Sequence, residues 1–432
     1  MSQPRHINTN RSARSSGAAR PEAARANQAR PAAGTGAPQS GNGAARTVHT
    51  AGSARPGRKK KKKIPVWLPL VVVLCIIGVG VGVVLGYVNS VLRAVKPDEE
   101  TAPIAEEIKT APEYQGDVVN VLICGIDYEE GRTYGSSSDG LTNDGMTDMI
   151  LYFQFDVKQG KINMLQIPRN SVVGGTYTCT ETTGKTYKAS NGQINSIMKS
   201  NSDGVAALAD VIYNMYKLPV DYYATIDMQA LREIVDRFQG INVYIPFDIE
   251  SGGSKLTQGY HTLMGDQVEF LVRNRHGSGY AQGDIARLNV QRYFYAALFK
   301  RVRTANLAEL WKLLPVVTYY VKTDMPGEAI VALAYNFLSV ESSNIMIAQT
   351  PVCSGPLYKE NSIVVPDGES IAELLNTYYR AYMDDVPASG LNLFEWEKYG
   401  APTSANVQAM GQLDEEREQY VAESGTDVVY DY

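Results

Sequence analysis

Apolar residues along this chain fall in short runs broken by polar, glycine and proline residues. VVNVLICGID (118–127), MILYFQFD (149–156) and KINMLQIP (161–168) are near-continuous apolar runs rich in β-branched and aromatic residues, which predict buried strands; the last two are joined by a turn at 157–160. Residues 203–216 and 228–238 carry apolar positions at helical spacing. Ser202 is placed to cap the first helix and Gly240 to stop the second. INVYIP predicts another strand and residues 251–259 a short hairpin-like stretch. A strand-like apolar run follows at 268–272, then a long helix from 284 to about 303. Strands interleaved with helices over 117–384 predict one α/β domain with a mixed central β-sheet flanked by helices.

The longest apolar stretch is of another kind. Residues 64–92 contain no Asp, Glu, Lys or Arg, and at about 1.5 Å per residue about 20 of them cross a hydrocarbon layer. A secretory signal has a shorter apolar core and a small-residue cleavage site after it, so this segment predicts one transmembrane helix. Of the chain's 41 Lys and Arg, 14 lie in residues 1–63 against one acid, Glu22, although the whole chain has a net charge of -5. That basic flank predicts a cytoplasmic N-terminus and an extracellular C-terminal domain held at the cell membrane. Residues 1–63, rich in Ala, Gly, Pro, Ser, Arg and Asn, cannot bury enough apolar surface to order themselves. The arm is expected to be disordered and drawn to anionic membrane lipids, with no nucleic acid as its partner. Gly78, Gly82 and Gly86 repeat every four residues, which is either the glycine common in membrane spans or a face for a homodimer. Residues 93–116 form a linker rich in Pro, Glu and Ala, and 385–432 an acidic C-terminal tail, expected to be mobile.

Chemistry concentrates in LVRNRHGSGYAQGDIARLNVQR. Arg273 and Arg275 are two apart at the end of the apolar run, so strand geometry sends both guanidiniums to one face. Asp284, Arg287 and Gln291 occupy one stripe of the following helix. Surface salt bridges are the simple account of any single pair. Five such groups on facing elements point instead to a phosphate or diphosphate, whose oxygens match the guanidinium fork. Arg169, at the end of KINMLQIP, adds a fourth guanidinium. Asp127 and Asp148 stand at strand ends, where they either cap turns or hold a hard cation together with phosphate oxygens. Cys179 and Cys353 fall in polar loops, where a disulfide is permitted but not established by spacing.

The order NVLICGID, TDMILYFQF, LQIPRN, INSIM, DYYATIDMQALREIVDRFQGINVYIP, LTQGYHTLMGDQVEFLVRNRHG, GDIARLNVQR resembles the LytR-CpsA-Psr proteins of bacterial cell envelopes over about residues 119–304. The resemblance implies a single extracellular catalytic domain behind one transmembrane helix and a cytoplasmic arm. It also implies transfer of a glycopolymer, teichoic-acid-like or capsular, from a polyprenyl diphosphate-linked donor to a peptidoglycan sugar hydroxyl. By the same resemblance Asp127 and Asp148 lie at a Mg²⁺ site, and Arg169, Arg273, Arg275 and Arg287 hold the diphosphate, oriented by Asp284 and Gln291. Leu208, Ile212, Leu231, Ile234, Val235, Phe294 and Leu298 are candidates for an apolar groove or for ordinary core. Three departures stand out: Asn170 where the family has an acid, Met146-Thr147 in place of Arg-Ser, and Gln193 near a usual Lys. Two alternatives remain: a hydrolase acting on the same lipid-linked diphosphate, and a non-catalytic envelope-binding or regulatory protein.

Overall fold

The computed structural model describes residues 116–127, 145–277 and 279–413. In chain order these include β1 (Val118–Ile126), β2 (Thr147–Asp156), β3 (Lys161–Ile167), α1 (Val205–Tyr216), β4 (Tyr222–Asp227), α2 (Met228–Arg237), β5 (Ile241–Ile245), β6 (Gly259–Leu263) and α3 (Gly265–Arg273). There follow α4 (Asp284–Thr304), α5 (Leu307–Tyr320), β7 (Lys322–Thr323), α6 (Gly327–Leu338), β8 (Ile345–Gln349), α7 (Gly368–Tyr378) and β9 (Gln408–Ala409). A seven-stranded sheet runs β7-β4-β1-β2-β3-β8-β9. β1 pairs with β4, and β3 with β8, in parallel; β1 with β2 and β2 with β3 are antiparallel. The predicted mixed sheet is present.

Alternate side chains of the central strands enter two cores. Leu122, Cys124, Ile150, Tyr152, Leu165 and Ile167 pack on one face with α1 and α7. Val121, Leu151, Phe153, Phe155, Ile162 and Met164 pack on the other with α2, α3 and α4. Burial on both faces is why these strands read as continuous apolar runs instead of alternating ones. β2 enters beside the end of β1, with a register shift between Gly125 and Ile126 and the amide of Asp127 donating to Met146 O at 2.9 Å. Ile150 opposes Ile167. Asp127, Asp148 and Arg169 therefore share one end of the sheet.

Several expectations are corrected. Residues 268–272 are not a strand but lie in α3, whose buried Val268, Leu271 and Val272 follow helical spacing. Five apolar-rich residues fit either period; the Gln267 side chain accepting from Met264 N at 3.0 Å and Asp266 in the first turn favour the helix. Ser202 does not cap α1, which begins after Gly204; its hydroxyl meets Asp203. Leu208 and Ile212 lie in the first core, whereas Val235 and Phe294 lie in the second and Leu231, Ile234 and Leu298 pack against it. The sheet separates them, so they cannot line one groove. Cys179 and Cys353 are free, buried thiols. Cys179 sits in the core beside α1, and burial followed by the nearby Asp210 carboxylate pushes its pKa up. Cys353 sits in a separate hairpin, Val352–Ser354 with Val364–Pro366.

The C-terminal boundary also moves. Residues 385–413 are not a tail: β9 closes one edge of the sheet against β8. Arg292, fully buried on α4, donates to Gln166 Oε1 at 2.8 Å, to Gln408 Oε1 at 3.0 Å and to the carbonyl of Asn406. The rest of the acidic tail, the 93–116 linker except Gly116, the arm 1–63 and the span 64–92 with Gly78, Gly82 and Gly86 lie outside the described residues. Among the described residues no helix is long and apolar enough to cross a membrane.

Candidate active site

At the sheet end where β1 and β3 finish and β2 begins, charged side chains from five segments interlock. Arg273, on the last turn of α3, meets Asp127 through both nitrogens, Nη1–Oδ1 at 2.9 Å and Nη2–Oδ2 at 3.2 Å. This is the bidentate fork that arginine favours. Arg169, just past β3, pairs with Asp148 at the start of β2, and its Nε reaches Asp284 Oδ1 at 3.3 Å. Arg287, buried one turn into α4, donates from Nη2 to Asp284 Oδ1 at 2.9 Å and to the backbone carbonyl of Asp148 at 3.2 Å. Burial works against the charge of Arg169, but the Asp148 and Asp284 carboxylates outweigh it and hold its pKa above the ordinary value. Removing one partner of such a pair is costly, because it leaves the other charge withdrawn from water without compensation.

Arg275 is different. Once Asn274 leaves the helix with φ -65 and ψ 137, Arg275 lies in the following loop, exposed and without a carboxylate in contact among the described residues. Partial desolvation and the like charges of Arg169 and Arg287 depress its pKa, against the pull of Asp284 and Asp148. A cation placed beside other cations is where an incoming anion gains most. Strand alternation would send Arg273 and Arg275 to one face; in the structure the helix ends between them, Arg273 pairing with Asp127 and Arg275 lying near Arg169 and Arg287.

Asp284 and Arg287 share the predicted helix face, and Gly283 ahead of them has φ 54, a conformation glycine adopts at least cost. Gln291 does not orient a guanidinium. Its Nε2 donates to Val272 O at 2.8 Å and its Oε1 accepts from the Tyr295 hydroxyl at 3.3 Å, which fixes the backbone just before Arg273. Sequence reasoning missed Glu269, buried on α3, which receives Arg273 Nη1 at 3.3 Å and also Arg232 of α2. Its position four residues before Arg273 is a legible signal once 265–273 is read as a helix.

A hard cation needs oxygen ligands, and Mg²⁺ commonly takes one or two carboxylates with water and phosphate completing its shell. Asp127 and Asp148 emerge from adjacent strand ends, and Asp284 Oδ2 is buried with no hydrogen-bond partner. Among the described residues no group of three or more His, Cys, Asp or Glu side chains could hold a metal by itself. The donor set fits a cation shared with a bound phosphate.

The three departures form a neutral neighbourhood. Gln193 accepts from Asn191 at 2.8 Å and donates to Ser362 O at 2.8 Å. Asn191 and Asn195 both approach the Met146 sulfur. Asn170 leaves its Oδ1 buried without a partner. Amides and a thioether replace the charges the resemblance leads one to expect there.

The family model described as the LytR_cpsA_psr family matches residues 84–380, more than half of the chain and every candidate site residue. The chain belongs to the LytR_cpsA_psr family. It is 27% identical over 241 residues to an uncharacterised protein of Staphylococcus aureus, covering 54% of this chain and 54% of that one. It is 26% identical over 277 residues to the polyisoprenyl-teichoic acid–peptidoglycan teichoic acid transferase TagU of Bacillus licheniformis, covering 62% of this chain and 80% of that one. The crystal structure of Bacillus subtilis TagV aligns at 21% sequence identity with a TM-score of 0.47, covering 61% of this chain and 96% of TagV. The LytR_cpsA_psr match stops at residue 380, so the ordered segment containing β9 lies beyond it.

Proposed function

We propose that this protein is a membrane-anchored phosphotransferase, its domain outside the cell, that moves a glycopolymer from a polyprenyl diphosphate carrier to a sugar hydroxyl of peptidoglycan. The observation that carries the proposal is the interlocked cluster itself: Arg169, Arg273, Arg275 and Arg287 facing Asp127, Asp148 and Asp284 at one sheet end, inside the family match. The named transferase activity of TagU is consistent with it.

The chemistry asks for positioning and neutralisation. Exposed Arg275 meets the diphosphate first, and the other guanidiniums exchange part of their carboxylate contact for phosphate oxygens. The acceptor hydroxyl oxygen forms a bond to the phosphorus that bears the glycan. The bond from that phosphorus to the bridging oxygen breaks, polyprenyl phosphate leaves, and the hydroxyl proton passes to a base. Asp127 and Asp148 would hold Mg²⁺, which when bound adds positive charge beside the phosphate oxygens.

Full-length protein, Mg²⁺, a polyprenyl diphosphate-linked glycan and peptidoglycan fragments should yield a glycan phosphodiester on the fragment together with polyprenyl phosphate, separated by mass. Free glycan phosphate in the presence of abundant acceptor would mean a hydrolase; intact donor across several glycans would mean a binding protein. Activity should fall at least ten-fold in chelator and in Asp148→Ala. Full activity under both conditions contradicts the metal assignment.

A further inference from the structure

Beyond the charged cluster, the loop carrying Tyr358 and the segment carrying Phe394 and Trp396 build an aromatic platform. Phe394 and Trp396 stack with ring centroids 6.1 Å apart and planes at 28°, and Tyr358 meets Trp396 edge-on at 5.0 Å. Two of the rings rest on glycines. A Cβ on Gly192 would lie 2.1 Å from Tyr358, and one on Gly174 would lie 2.5 Å from Phe394; both glycines have φ 81. Trp396 nevertheless remains 36% exposed and, with Glu395 and Glu397, lines an open cleft of about 400 Å³. Half-burying the Tyr358 and Phe394 rings while leaving the Trp396 indole open to solvent suits a surface that receives a flat apolar face.

The platform is tied to the cluster. The Asn361 side chain donates to Asn191 O at 3.3 Å, Gln193 holds Ser362 O, and Val364 N donates to Asn170 O at 3.1 Å. Asn170 follows Arg169 in the chain, so one loop touches both the platform rings and the backbone of the charged site. The charge nearby is acidic. Glu360, Glu395 and Glu397 are exposed, Lys398 is engaged by Asp367 at 2.7 Å, and Lys359 lies 5.7 Å over the Tyr358 ring. The Tyr399 hydroxyl hydrogen-bonds Glu397, and the neighbouring Lys398 pairs with Asp367 instead of with either glutamate. Such a rim repels a polyanion and offers hydrogen-bond acceptors to hydroxyl groups.

We infer that this platform binds an uncharged glycan strand, whose sugar rings stack their C–H faces on Trp396 while their hydroxyl groups donate to Glu395 and Glu397. Resting on the transferase reading, it holds the acceptor strand and not the anionic polymer of the donor. Most of the platform lies past residue 380, where the family match ends.

Full-length protein in detergent micelles should bind the β-1,4 tetramer of N-acetylglucosamine saturably, followed by calorimetry. Trp396→Ala should weaken that binding about ten-fold, the loss typical of removing an aromatic anchor. Glu395→Gln with Glu397→Gln, both exposed and away from the ring packing, should weaken it several-fold with unaltered thermal unfolding. Polyprenyl phosphate measured on the same samples should bind equally to all variants. No saturable tetramer binding, equal tetramer affinity in all variants, or binding of poly(glycerol phosphate) that is lost in Trp396→Ala would each overturn the inference. Tetramer binding without polyprenyl phosphate binding would leave the platform standing and overturn the transferase reading instead.

Discussion

Arg275 and Arg287 separate two jobs that one residue type can do. Arg287 is buried and committed to Asp284 and the Asp148 carbonyl, whereas Arg275 is exposed with its charge opposed by its neighbours. Arg275→Ala is expected to weaken polyprenyl phosphate binding about ten-fold while leaving the unfolding midpoint unchanged, since it removes a ligand contact and no internal one. Arg287→Ala should also lose ligand affinity, and should cost about 1–3 kcal/mol of stability by leaving Asp284 partly unsatisfied. Calorimetric binding and denaturant unfolding on both variants check this. Equal behaviour in the two assays would refute the division. Of the candidate residues, those on α4 were readable because helical spacing is an intrinsic property of the chain, while Gln291's true partner, the Val272 carbonyl, depends on where another helix ends.

At the scale of elements, α2 and α3 are pinned by Glu269, which takes Arg232 from one helix and Arg273 from the other. Glu269→Gln would keep the shape and remove the charge that faces both Arg232 and Arg273. A loss of about 1–3 kcal/mol is expected in urea unfolding, together with a weaker hold on the donor because Arg273 loses one of its two anchors. An unchanged midpoint would show that apolar packing alone joins the helices. The same helix is where reading the sequence as a strand failed: VEFLV is too short to reveal its period, and the decision came from Gln267 at the N-terminus and from burial of Val268, Leu271 and Val272.

For the whole molecule, residues 385–413 are part of the folded domain. β9 extends the sheet, and Asn406 and Gln408, together with Gln166, accept from the buried Arg292. Truncation after Ser404 would leave that guanidinium buried with fewer acceptors, an outcome that typically costs about 3–5 kcal/mol. Full-length protein and the truncated chain, compared by thermal unfolding, should differ by several degrees or the truncated form should fail to accumulate. An identical midpoint would return this segment to the status of a tail. Its acidic composition concealed it, since a two-residue edge strand carries almost no hydrophobic pattern.

The sequence by itself determined what local periodicity and chemistry encode: the central strands, the helix bearing Asp284 and Arg287, the mixed α/β class and the residue types of the charged cluster. Each of these follows from side-chain spacing along a few turns or strand residues. Only the tertiary structure decided which carboxylate answers which guanidinium, that Cys179 and Cys353 are buried apart, that Arg275 is left exposed in the loop after α3, and that Trp396 joins Tyr358 and Phe394. Those pairings join residues far apart in the chain, and their geometry is set by how strands and helices pack on the two faces of the sheet, which no short window of sequence contains.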